Sequence, residues 1–313
     1  MIPTPPAQSH STDAVSLGYD TGRDRKERLI GSILALCAGI SVLVTVAIFL
    51  VLAWEAFGFF SRVSVWEFLT ETRWTPAFRE KHFGILPLVS GSFLVVVIAG
   101  LVALPSGLLT AVFLSEYAGA RLRTFLKPVL DVLAGIPTVV YGYFALTLVT
   151  PLLRRIFPSA DVFNAASAGI VVGIMVLPMV ASLSEDALRG VPDRLREAAY
   201  GLGATTLDVS TRIVIPAGIS GVLASFVLAL SRALGETMVV TMAAGSSPHL
   251  TLNPLEAVQT MTAYILQGGL GATSFGSLEY HTLFAVGVVL FLTTTAMNLL
   301  SQWILSRFRR RSA

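Results

Sequence analysis

Arg232 and Glu236 stand four residues apart inside "GVLASFVLALSRALGETMVVTMAAG", an apolar run long enough to cross a bilayer. An Arg at the centre of a membrane helix costs roughly 2.5 to 3.5 kcal/mol on insertion scales, so charges kept there mark a pathway or a partner. If the run is one helix at about 100° per residue, Gly221, Ser225, Ala229, Arg232 and Glu236 fall within an arc of about 80°. Leu223, Val227, Leu230, Leu234 and Met238 fall opposite. One face is then small and ends in two charges, and the other is bulky and apolar. Two readings stay open. The charges form an i, i+4 ion pair that fixes helix register. Alternatively Arg232 is an anion site, its planar guanidinium matched to a tetrahedral oxyanion, with Glu236 holding it while the path is empty.

Other chemistry is sparse. There is no phosphate-cradling G-x-x-x-x-G-K-[ST], and none of the three lysines, Lys26, Lys81 and Lys127, follows a glycine. His10, His82, His249 and His281 are scattered without helical pairing, and Cys37 is the single cysteine, which leaves no internal disulfide and no cysteine-based metal site. We expect no catalytic residue, no metal, no nucleic-acid partner and no cofactor bound to this chain.

The elements that must carry these residues are membrane helices. Hydrophobic residues make up 54% and charged residues 13% of the 313, about half the charge of a soluble domain. Long continuous apolar runs without alternation read as helices, since lipid satisfies no backbone group. The expected fold is an all-α polytopic membrane protein with six transmembrane helices, at 29–56, 84–115, 124–152, 165–186, 217–244 and 281–305. Pro105 and Pro137 interrupt the second and third. A disordered tail at 1–28 precedes the first helix, a loop at 57–83 follows it, five helices form a core at 84–305, and a basic tail ends the chain at 306–313. With both termini on one side, fifteen of the 22 basic residues fall in segments on that side and six on the other. The positive-inside rule makes the first side cytoplasmic.

The longest inner segment, 187–216, contains "PDRLREAAYGLG". Pro192 suits a first-turn position, Asp193 the positive helix end, and Leu195, Ala199 and Leu202 an apolar stripe. A helix this short needs a surface; lipid headgroups or a cytoplasmic partner would each serve. "GIPTVVYG" brings Gly135, Pro137 and Gly142 to a break, with the hydroxyls of Thr138 and Tyr141 beside it, either for packing or along a path. Asp131 reads as interfacially solvated. "PLEAVQTMTAYIL" reads as a short outer helix at 253–266 that plugs the outer mouth, meets a partner or lies flat on lipid.

The 187–216 segment resembles the EAA loop of ATP-binding-cassette (ABC) importer permeases: Glu197-Ala198-Ala199, three residues, Gly203, nine residues, Ile213, one residue, then Ile215-Pro216, with Ile215 in place of the family's Leu. "FGILPLVSGSFLV" from Phe83, "FLSEYAG" from Phe113, "LAGIPTVVYGYFAL" from Leu133, "ALGETMVV" from Ala233 and "NPLEAVQTMTAYI" from Asn253 are similar to PstC-type permeases of phosphate importers. The resemblance implies a type I ABC importer permease fold in which the helix at Glu197 to Gly203 is a coupling helix. Glu197, Ala198, Ala199, Gly203, Ile213 and Pro216 then dock an ATPase, and Arg232 and Glu236, with Thr138 and Tyr141, lie on the cargo path. It implies a PstA-type second permease, a PstB-type ATPase dimer that holds ATP and Mg, and an extracytoplasmic phosphate-binding protein, all around a chain set in membrane lipid. Sulfate or molybdate as cargo, and an ATP-independent transporter or channel, are the alternatives.

Overall fold

The computed structural model describes residues 21–76 and 78–309. The elements are α1 (Thr21–Phe60), α2 (Val65–Thr70), α3 (Leu86–Val112), α4 (Ala120–Gly135), α5 (Thr138–Phe144), α6 (Thr150–Ile156), α7 (Ala165–Arg189), α8 (Asp193–Gly201), α9 (Thr206–Val209), α10 (Ile215–Leu234), α11 (Met238–Ala243), α12 (Met261–Gln267) and α13 (Leu278–Arg309). Wider π-helical turns extend α3 through Phe113–Tyr117, join α5 to α6 and α9 to α10, and follow α12. Among the described residues, extended pairing is confined to one isolated bridge, Trp74 with Phe83. Among the described residues, six segments are long and apolar enough to cross a membrane: Lys26–Phe60, Leu86–Tyr117, Thr138–Ile156, Ala165–Arg189, Thr206–Leu234 and Leu278–Trp303. Among the described residues, α1 up to Val51 falls in one unit and Leu52 onward in the other.

Several expected boundaries move. Residues 21–28, expected in a disordered tail, begin α1; the first twenty residues and the last four lie outside the described part. The expected third span, 124–152, is two helices. Pro137 biases the residue before it to extended backbone, and Ile136 sits at φ −64°, ψ 131°. The crossing segment therefore starts at Thr138, and α4 is a separate helix with no buried residue. Pro105, by contrast, lies inside an unbroken α3. The expected fifth span, 217–244, begins earlier, at Thr206, and its helix stops at Leu234.

Small residues set the packing. A Cβ on Gly173 would stand 2.8 Å from the Ala99 carbonyl oxygen, and one on Gly169 2.6 Å from Ile98 Cβ. These contacts bring α7 against α3, where Ala99 and Ala103 are fully buried, the close approach that membrane helices use in place of a hydrophobic driving force. A second core is aromatic. Phe59, Phe68, Trp74 and Phe83 are buried in edge-to-face contacts that extend to Tyr264, 5.0 Å from Trp74. The segment expected as a plain loop at 57–83 is thus folded, because its aromatic rings share one apolar cluster at the start of α3.

Candidate functional site

α8 is built by local signals. Pro192 takes the N-cap, one position earlier than expected, and Asp193 is in the first turn. Gly203 has φ +83°, a conformation that suits glycine. It lets Gly203 N–H donate to Tyr200 O (2.9 Å) and Ala204 N–H to Ala199 O (3.1 Å), the paired bonds of a Schellman ending. Thr205 and Asp208 then form a capping box that starts α9. Ala199 is buried, whereas Leu195 is 45% and Leu202 90% exposed. The expected stripe of Leu195, Ala199 and Leu202 is therefore not a single buried face. Leu202 lies past the last helical residue, at the C-cap, where the 100° rule no longer applies. Glu197, Ala198, Gly203 and Pro216 are exposed and Ile213 is half-buried. With Tyr200 and Leu207, these residues leave α8 and the turn after it open.

Arg196 fixes the opposite side of α8. Its Nε and Nη2 donate to Glu116 Oε2 (3.3 Å) and Oε1 (3.2 Å), Nη2 also to Leu188 O (2.8 Å), and Nη1 to Val191 O (2.6 Å) and Asp193 Oδ1 (3.0 Å). The Arg196 side chain is 14% exposed and that of Glu116 4%. Ser115 Oγ adds a bond to Glu116 Oε1. Beside this joint, the fully buried Glu185 of α7 is ion-paired to Arg123 and Lys127 of α4 and to Arg189. The hydrogen bond to Glu185, helped by Asp186, holds the Lys127 amine above the usual lysine range. Sequence reasoning passed over Glu116 and Glu185. The available signal was a carboxylate at the end of an apolar helix, which demands a cation somewhere.

The two charges of the apolar run do not pair. Gly235 is the C-cap of α10, and Glu236 lies outside both α10 and α11. Glu236 is 8% exposed; its Oε1 accepts from the backbone N–H groups of Met238 (3.1 Å) and Val239 (3.2 Å). Its carbonyl accepts from Thr262 Oγ1 (2.7 Å). The helix break carries Glu236 off the face it was expected to share with Arg232 and satisfies it with backbone donors. Arg232 is exposed in the last turn of α10 and has no ion pair or hydrogen bond among the described residues. The small face below it is packed, not open. Ser225 and Ala229 are buried, Ser225 bonds Ser184 of α7 (2.7 Å), and a Cβ on Gly221 would stand 2.4 Å from Ala187 Cβ.

Tyr141 is buried and its hydroxyl donates to Leu133 O (2.7 Å) across the α4–α5 break, so it braces the break in this conformation. Thr138 is half-buried at the start of α5. One turn later Gly142 meets α11: a Cβ there would stand 2.9 Å from Met242 Sδ. The structure thus brings α5, α11 and the end of α10 into one core cluster, while the Tyr141 hydroxyl bonds Leu133 O and neither charge. Asp131 is exposed.

The expected outer helix at 253–266 is shorter and deeper than its sequence suggests. Only Met261–Gln267 is helical, capped by Thr260. Met261, Thr262 and Ala263 are buried, and Met261 N–H donates to Ser92 Oγ of α3 (2.9 Å). Lying flat on lipid is ruled out by that burial. The preceding loop is tied by Glu256, whose carboxylate accepts from His249 and Asn253. The His249 bond, followed by those of Thr251 and Asn253, holds the Glu256 carboxyl down to about 2.

Residues 103–312 match the family described as binding-protein-dependent transport system inner membrane component. The chain is 34% identical over 277 residues to a probable ABC transporter permease protein, YqgH, of Bacillus subtilis, covering 88% of this chain and 89% of that one. It is 32% identical over 279 residues to the phosphate transport system permease protein PstC of Mesorhizobium japonicum, covering 83% of each. A probable PstC of Methanocaldococcus jannaschii is 33% identical over 251 residues, 72% of this chain and 76% of its own. Among solved structures, a chain of a bacterial alginate ABC transporter in complex with its periplasmic protein aligns at TM-score 0.64 and 16% identity, covering 93% of this chain and 97% of that one. A chain of the MetNI methionine ABC transporter aligns at 0.53 and 17%, covering 72% and 94%.

Proposed function

The chain belongs to the binding-protein-dependent inner membrane components, in their PstC-type ABC permease branch, and from that premise we propose that it carries inorganic phosphate inward by alternating access. A permease of this family is a multi-pass inner membrane protein and is not itself catalytic. Our reading adds the partners. A PstA-type permease completes the pore, a PstB-type ATPase dimer binds ATP and Mg and grips α8, and a phosphate-binding protein delivers cargo from outside. Both termini are cytoplasmic in this reading, which puts α4, α8 and the Arg196 joint on the inner side and α12 toward the outer one.

One observation carries the proposal: Arg232 is exposed at the end of a membrane helix and has no ion pair among the described residues. With Glu236 turned to backbone donors, the guanidinium keeps its full charge for an anion. Two unit charges about 4 Å apart attract by roughly 4 kcal/mol at an effective dielectric of 20, enough to offset much of an oxyanion's dehydration without trapping it. Relatives named as phosphate transport permeases favour phosphate over other oxyanions. In this reading Glu236 organises the break between α10 and α11, and Thr138 and Tyr141 line its flank.

The test is uptake by the complete complex in liposomes, driven by ATP. Arg232→Glu should abolish phosphate uptake while all subunits still co-purify. Normal uptake by that variant removes Arg232 from the path. Wild-type complex that imports sulfate or molybdate in preference to phosphate changes the cargo, and uptake that persists without ATP refutes the importer.

A further inference from the structure

Docking explains the exposed side of α8. It does not explain why the other side commits one guanidinium to four hydrogen bonds with three other parts of the fold and a fifth with Asp193 of its own helix. Arg196 reaches the π-helical extension of α3 through Glu116, the last turn of α7 through Leu188 O, and the turn between α7 and α8 through Val191 O. Glu116 and Arg196 are 80 residues apart in sequence and both nearly buried. A bidentate carboxylate–guanidinium pair fixes two planes relative to each other, which a single hydrogen bond does not. Leu188 O, in the last turn of α7, accepts from Val191 N–H (3.2 Å), and Arg196 Nη2 adds a second donor (2.8 Å). Below the joint, α3 and α7 form the small-residue contact at Gly169 and Gly173. A push on α8 therefore reaches the closely packed pair α3 and α7 through Arg196, beside the apolar cluster that buries Ala199 with Ala111 and Leu188.

We propose that Arg196 and Glu116 form the transmission joint of this permease: a positioning pair that converts movement of α8 into movement of α3 and α7, separate from the exposed residues that grip the ATPase. The inference rests on the importer reading above. A joint differs from a docking contact in what fails when it is cut. Losing the grip detaches the ATPase. Losing the joint leaves the ATPase attached and turning over while transport per ATP falls.

The experiment uses the complete complex in liposomes and follows ATP hydrolysis and anion uptake in the same vesicles. Glu116→Gln is the main variant, because it keeps the size of the side chain and lies away from the exposed face of α8. The expected result is full subunit co-purification, hydrolysis at or above the wild-type rate, and uptake per ATP reduced at least roughly tenfold. Arg196→Lys should give a smaller loss than Arg196→Gln, since an ammonium keeps the charge without the fork. Amide hydrogen exchange across α8 should rise in Glu116→Gln, a readout that is independent of the cargo. Hydrolysis and uptake falling in proportion, unchanged exchange, or loss of the ATPase from Glu116→Gln each overturn the joint. A wild-type complex that moves a different anion but shows the same split keeps the joint and corrects only the cargo.

Discussion

Leu202 is the sharpest place to test whether α8 is a docking surface. It is 90% exposed although apolar, and its N–H is held at the C-cap by Ala198 O (3.2 Å) and Ala199 O (3.1 Å). Leu202→Ala keeps both bonds and suits the C-cap backbone at φ −87°, ψ 4°. The permease itself should hardly notice, since surface substitutions of this kind stay within about 0.5 kcal/mol. Docking would notice. Burying a leucine side chain against a partner contributes roughly 1.5 to 3 kcal/mol, which is about 10- to 150-fold in affinity. The assay is titration of the ATPase onto the permease pair in nanodiscs, with thermal unfolding of the permease as control. We expect that loss of affinity with an unmoved unfolding midpoint. Affinity preserved within about twofold would mean that Leu202 faces lipid or water in the complex, and the surface assignment would fall.

Two further outcomes follow from geometry elsewhere. Gly173→Ala sets a methyl 2.8 Å from the Ala99 carbonyl oxygen and should cost about 1 to 3 kcal/mol of overpacking, read as a lower unfolding midpoint in detergent; an unchanged midpoint would mean that α3 and α7 slide apart freely. The Glu256 carboxyl is held at about 2, below its ordinary 4.5, chiefly by His249. A depressed carboxyl stabilises the folded loop above its unfolded value and loses that effect as pH falls through the folded one. Protection of 246–260 from hydrogen exchange should therefore decline between about pH 4.5 and about 2, and His249→Gln should shift that decline to higher pH.

What the sequence made legible were the features whose causes are local. Apolar length found the six spans, since a run of twenty apolar residues needs no partner to be recognised. The short helix α8 was legible for a similar reason: Pro192 and Asp193 at its start and Gly203 after its end act on their own neighbours, although the Thr205–Asp208 capping box that follows was passed over. The break after Leu234 was not. A hydropathy window averages over Gly235 and Glu236, and the break depends on Thr262, 26 residues away, which takes the Glu236 carbonyl. Pro137 was visible as an interruption, but α4 was not visible as a separate element. Its place depends on Glu185, 58 residues from Lys127. Arg196 and Glu116 were hidden for the same reason, as long-range pairs carry no spacing rule.

The parting of Arg232 from Glu236 also bears on why the chain needs company. A guanidinium at the centre of a membrane helix costs roughly 2.5 to 3.5 kcal/mol, an upper bound for Arg232 in the last turn of α10, and a helix C-terminus returns about 0.3 to 1 kcal/mol of that. An ion pair with Glu236 would have closed much of the gap, yet that carboxylate is committed to Met238 and Val239. The described residues offer Arg232 no other polar partner. The remaining cost, at most on the order of 2 kcal/mol, would be met by water in a cavity, by a facing subunit or by an anion. A helix that faced only lipid would leave that cost unmet, so in the proposed importer the side of α10 that bears Arg232 would face the polar interior shared with the second permease.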